Sequence, residues 1–89
     1  MKPTIHLNGS CPATLRDDYI NAGQAVRQAM ESLRATSPHG RDYYPQGATA
    51  FGNAAEEHRQ RYLRLKSVLE ELEELAEHCA DEAAGRGLG

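Results

Sequence analysis

The side chains best able to grip a ligand cluster between two Gly/Pro boundaries, in Ser37-Pro38-His39-Gly40-Arg41-Asp42-Tyr43-Tyr44-Pro45-Gln46-Gly47. Tyr43 and Tyr44 offer rings for stacking, Arg41 a planar fork of donors for phosphate or carboxylate, and Asp42 an acceptor for hydroxyls. The segment leads into the predicted start of a helix, where free backbone N–H groups favour an anion. A nucleotide-like or phosphorylated ligand suits these parts, with Gln46 and, from the following helix, Arg59 completing the set. The plainer reading is an anchor. A long interhelical connection needs one, and a buried tyrosine with an Arg41–Asp42 pair would provide it.

Other chemistry is sparse. Arg59, Arg61, Arg64 and Lys66 form a basic band. It suits an acidic partner or, more plainly, a solvated face paired with Glu56, Glu57 and Glu70 at helical spacing. Glu70, Glu71, Glu73, Glu74, Glu77, Asp81 and Glu82 follow with no basic residue among them. His78 and Glu82 stand four apart, but a metal needs a third ligand and none is in view, so no metal or cofactor is expected. No nucleophile has a neighbouring base, and there is no HExxH pattern or glycine-rich phosphate loop. The chain therefore reads as a non-enzyme.

The elements that position these residues follow from periodicity. Residues 1–10 read as an extended arm, with Ile5 and Leu7 alternating with polar residues before the Asn8-Gly9 turn signal. A first helix is predicted over about 12–36, because Pro12 suits the first helical position and Pro38 forbids continuation. Its stripe is Leu15, Tyr19, Ala22, Val26, Ala29 and Leu33, with Met30 beside it. Gly23, among Ala22, Ala25 and Ala29, predicts a close approach by another helix, since an interior glycine otherwise costs about 1 kcal/mol. After the loop at 37–47, a second helix is predicted over about 48–84, followed by a tail at 85–89. Its stripe runs Phe51, Ala55, His58, Tyr62, Leu65, Leu69, Leu72, Ala76 and Cys79, widened by Leu63, Val68 and Leu75. The alternation of four and three marks coiled-coil-like packing. His58 and Cys79 on this stripe read as packed residues.

The fold class is all-α: an antiparallel two-helix hairpin in one domain. With the loop as a plain connector, Leu33 meets Phe51, Leu15 lies near Leu69, and everything past Leu72 lacks a partner on the first helix. At 89 residues, with no Trp and one Phe, the core is thin. A homo-oligomer, most simply a dimeric four-helix bundle, would cover what the hairpin exposes. A net charge of −3 disfavours general nucleic-acid binding. The absence of a long apolar segment disfavours a membrane span. The two cysteines, Cys11 and Cys79, form no metal spacing, and a cytoplasmic setting is expected.

The opening Thr4-Ile5-His6-Leu7-Asn8-Gly9-Ser10 and the loop Gly40-Arg41-Asp42-Tyr43-Tyr44-Pro45-Gln46-Gly47 resemble a family of small uncharacterised bacteriophage and prophage proteins. The resemblance extends to the leucine-rich part of the second helix. It implies a phage protein acting in the cytoplasm of a bacterial host, and it transfers no functional residue. In that setting three readings stand. The chain sequesters a nucleotide-derived defence signal at an oligomeric site, blocks a host protein through the acidic end of its long helix, or serves as a small structural or assembly protein.

Overall fold

The computed structural model describes residues 1–4 and 11–85. Its elements are helix α1 (Pro12–Arg34), a one-turn helix α2 (Gly40–Tyr43), a 3₁₀ turn (Tyr44–Gln46) and helix α3 (Ala50–Gly85). There is no strand among the described residues. The chain is therefore all-α, but with three helices and an elongated outline of 62 × 19 × 17 Å rather than a simple two-helix hairpin.

Local chemistry explains the boundaries. Pro12 opens α1 behind Cys11, whose carbonyl accepts the Leu15 N–H at 2.9 Å. The helix stops at Arg34, two residues before the limit that Pro38 sets. The N–H groups of Thr36 and Ser37 close tight turns onto the carbonyls of Leu33 and Arg34, at 2.9 and 3.1 Å. The hydroxyls of Thr36 and Ser37 donate to the same two carbonyls at 2.7 and 2.8 Å. These four bonds satisfy two of the orphan acceptors of the last turn, and serine and threonine favour such local bonds over continued helix. The connection then winds rather than looping freely. Gly47 turns the chain at φ 109°, a conformation open to glycine, before Ala50 starts α3.

The register of α1 on α3 corrects the expected one. Arg27 Nη2 lies 3.4 Å from Glu73 Oε1, Ser37 Oγ lies 3.3 Å from His58 Nε2, and Gly23 faces Leu69. Leu33 is therefore opposite the region of Tyr62 and not Phe51. α1 pairs with α3 from about Tyr62 onward. The C-terminal part of α3, expected to lack a partner, holds the most deeply buried residues: Cys79 at 0% exposure and Ala83 at 2%. The unpaired part is instead the start of α3, which α2 and the 3₁₀ turn contact. The reason is the connection. Because residues 38–49 travel along the first turns of α3 before it begins, α1 ends eleven α3 residues further on than a plain connector allows.

The arm also finds its place. Pro3 lies against α3, its carbonyl accepting a 3.0 Å bond from His78 Nε2. A carbonyl oxygen only accepts, so His78 Nε2 carries the proton of this bond. The alternation at Ile5 and Leu7 lies outside the described residues.

The faces rotate as well. In α1 the buried residues are Pro12, Gly23 and Met30, whereas Ala22 and Ala29 are exposed and Leu15, Val26 and Leu33 are half-buried. In α3 the line begins at Ala50 and Ala54, each half-buried, while Phe51 and Ala55 are exposed. Gly23 explains the rotation in α1. A Cβ there would meet Leu69 Cδ1 at 3.4 Å, so the missing side chain lets α3 come close on that face. The larger residues are turned to the flank.

Candidate functional site

The winding connection places the candidate ligand residues in two groups. Tyr43 ends α2 and Tyr44 begins the 3₁₀ turn, so their backbones are fixed by successive turns. With Gly40, Gly47, Ala48 and Phe51 they line an open hollow of about 540 Å³ at the start of α3. Tyr43 is half-buried and acts as the anchor that such a connection needs. Tyr44 is 84% exposed. Phe51 adds an apolar wall at 44% exposure. The result is a shelf of three aromatic rings around two glycines, a shape that takes a flat ring system by stacking.

Arg41 and Asp42 are exposed on α2 and do not line the hollow. Among the described residues no ion pair joins them, so the Arg41–Asp42 half of the anchor reading is not observed. The four pairs are Arg16–Asp17, Arg27–Glu73, Arg34–Glu31 and Arg59–Glu56. The Arg41 guanidinium thus stays available, one position before Asp42 and two before the anchored tyrosine. Gln46 is exposed at the end of the 3₁₀ turn and also lies outside the hollow.

Arg59 belongs to a different arrangement. Its Nε and Nη2 donate to the two carboxylate oxygens of Glu56, both at 3.0 Å, and Gln60 donates to the same carboxylate at 2.9 Å. These bonds favour the charged carboxylate and lower the Glu56 pKa to about 2, the Arg59 contact acting most strongly. The fork of Arg59 is committed along its own helix, so it is not brought to the tyrosine shelf. The rest of the basic band, Arg61, Arg64 and Lys66, is exposed.

The His58 ring is half-buried at the junction of the two long helices, its Nε2 beside Ser37. It packs there as the sequence stripe implies. Sequence reasoning missed the thiol of Cys11. This residue is exposed at the start of α1, where the backbone N–H groups of Thr14 and then Ala13 lower its pKa, although no full capping hydrogen bond forms. Pro12 immediately after Cys11 was the available signal, because it fixes the helix start and hence the free N–H groups. Cys79 is its opposite: fully buried, with its pKa raised by that burial.

Among the described residues no cluster of three metal-binding side chains occurs, and no helix is long and apolar enough to cross a membrane. Compared with protein-family models, curated proteins and solved structures, the chain finds no match.

Proposed function

We propose that this chain is a non-enzymatic binding protein that works as a homo-oligomer, with the shelf of Tyr43, Tyr44 and Phe51 as its contact for a nucleotide-like ligand. The observation that carries the reading is Tyr44, 84% exposed on a backbone that two successive turns hold in place. An anchoring tyrosine packs against its own chain, and the half-buried Tyr43 already fills that role. A base stacks on the ring of Tyr44 while Arg41, one turn of α2 away and without an ion-pair partner among the described residues, meets a phosphate. In the phage setting that the sequence resemblance implies, such a protein sequesters a host defence signal.

Calorimetry against cyclic dinucleotides, cyclic trinucleotides and ADP-ribose derivatives tests this. One class should bind with micromolar or tighter affinity. Tyr44→Ala and Arg41→Ala should each weaken binding by roughly 10-fold or more, as for loss of a stacking or charge-assisted contact. Arg59→Ala should leave it unchanged. Absence of binding to every class at tens of micromolar sinks the nucleotide reading.

A second reading draws on the acidic run. Of its seven carboxylates only Glu73 forms an ion pair among the described residues, which leaves a charged face open to a basic host protein. Recovery of one partner from host lysate, lost on reversing Glu74 and Glu77 to lysine, would favour it.

A further inference from the structure

Where Arg27 meets Glu73, the paired helices α1 and α3 leave a groove between them. Gly23 makes room for it. With no side chain there, the α1 backbone forms one wall, and Leu69 and Ala76, 6% and 8% exposed, form an apolar floor. The hollow measures about 330 Å³, at the lower end of the range for small-molecule sites, so it has room for one ring system. Arg27 also borders a smaller hollow of about 180 Å³ beyond it. Arg27 therefore stands at one end of the groove, and Tyr19, two turns back on α1, stands at the other.

The arm does not reach the Arg27 end. Thr4 lies beside His78 and Glu82, which point about 140° and 180° away from Glu73 around α3. At about 3.6 Å per residue, residues 5 and 6 stay within about 7 Å of Thr4, and residues 7–10 within about 14 Å of Cys11. Arg27 is about 24 Å along α1 from Cys11.

The polar groups of the groove offset each other in charge. Arg27 Nη2 and Glu73 Oε1 make a single contact at 3.4 Å, between side chains that are 63% and 55% exposed. The guanidinium keeps further N–H donors, and the carboxylate keeps a second oxygen. Such a pair selects neither a cation nor an anion. It selects a neutral, flat ring whose neighbouring edges present acceptors and donors side by side. Guanine is such a ring: O6 and N7 accept from an arginine fork, while N1–H and the 2-amino group donate to a carboxylate. Adenine, cytosine and uracil each lack at least one of these two pairs.

We propose that this groove is a guanine-recognition site, with the ring on Leu69 and Ala76, its polar edges toward Arg27 and Glu73, and its sugar toward Tyr19. The site goes beyond the function proposed above. Glu73 is about 33 Å along α3 from Phe51, so the groove and the tyrosine shelf are separate.

The test is a titration of the isotope-labelled full chain with guanosine, followed by amide NMR. Guanosine carries no phosphate for Arg41. Shifts should move at residues 19–27 and 69–76 and not at 40–51, with a dissociation constant of about 1 mM or tighter. Adenosine and cytidine should bind roughly 10-fold more weakly, and inosine, which lacks the 2-amino group, roughly 5-fold more weakly. Glu73→Gln and Arg27→Met should each weaken guanosine roughly 10-fold, with helicity by circular dichroism unchanged because both side chains are in solvent. Gln24→Trp, which fills the groove and leaves Arg27 and Glu73 in place, should weaken it as much. Tyr44→Ala should change nothing here, so failure at the shelf and failure at the groove are read separately. No shift at 19–27 and 69–76 with 1 mM guanosine overturns the proposal. So does adenosine binding as tightly as guanosine, or a folded Glu73→Gln that binds like the wild type.

Discussion

The two ends of α3 carry similar sequence patterns and have opposite structures. Near its C-terminus the helix buries Ala76, Cys79 and Ala83, small residues on the part of α3 that pairs with the antiparallel α1. Near its N-terminus it carries Phe51, the largest apolar side chain in its stripe, which stays 44% exposed beside a 3₁₀ turn. Burial here follows the presence of a facing helix, not side-chain size. A close helix pair excludes water with alanine and cysteine, whereas one short turn cannot cover a phenylalanine. The exposed end therefore keeps aromatic surface for recognition, and the packed end holds the molecule together.

The sharpest way to break this contrast is to remove a comparable side chain from each end. Leu69 is 6% exposed and lies against Gly23 of α1. Leu69→Ala should destabilise the fold by about 2–4 kcal/mol, the cost of lost burial plus a cavity. In a chain with so thin a core, that is a large share of the total. Phe51→Ala removes more atoms, yet it should cost only about 1–2 kcal/mol because 44% of the residue already faces water. Urea denaturation of both variants checks the order. A larger loss from Phe51→Ala would mean that the loop end, not the helix pair, is the core.

The two cysteines sharpen the same comparison through kinetics. Cys11 is exposed with its pKa lowered by helix N–H groups, and Cys79 is fully buried with its pKa raised by burial. A thiol reagent at neutral pH should modify Cys11 directly and Cys79 only through unfolding. For a fold of about 5 kcal/mol that is a rate difference of roughly 10³ or more. Equal rates would show that the end of α3 opens freely.

Much of the helix content was legible in the sequence, because Pro12, Pro38 and the unbroken alternation of four and three leave few alternatives for residues 12–34 and 50–85. The register was not legible. It depends on where residues 38–49 travel, and a one-turn helix at Gly40–Tyr43 followed by a 3₁₀ turn leaves no periodic trace. Pairing Leu33 with Phe51 assumed a connector that goes straight across. The rotation of α1 was half-legible. Gly23 signalled a close approach, but the stripe of larger residues drew the buried face onto Ala22 and Ala29, which the structure exposes. At the candidate site, Tyr43 and Tyr44 were legible by type and do line one hollow. Arg59 was legible in its plainer reading: the basic band was expected to pair with Glu56 at helical spacing, and Glu56 takes its fork, which is why Arg59 does not reach the tyrosines.

Gly23 offers a smaller effect with an informative sign. Alanine there would set its Cβ at 3.4 Å from Leu69 Cδ1, an ordinary contact with the end of a flexible side chain. Helix propensity should then outweigh the contact, and Gly23→Ala should stabilise by up to about 1 kcal/mol. Gly23→Leu forces the helices apart and should destabilise by about 1–3 kcal/mol. If alanine also destabilises, the helices approach even more closely than the Leu69 contact indicates.

The smallest effect belongs to the exposed end and depends on pH. Arg59 and Gln60 hold the Glu56 carboxylate, lowering its pKa to about 2 in the folded chain. A depressed carboxylate pKa means that the bonds are fully formed above the ordinary carboxylate range. The stability they give is then lost as the pH falls from that range through about 2. All three side chains are in solvent, so the contribution is local and screened by salt. Amide exchange followed by NMR should therefore show the first turns of α3 opening more readily at pH 2.5 than at pH 5 (roughly the two sides of that window), relative to the same turns in Glu56→Gln. In that variant the neutral amide cannot respond to pH, and the difference between the two conditions should shrink at residues 52–60 while staying the same at 72–80. An equal response in both segments would place the acid-sensitive contacts in the packed end of the helix instead.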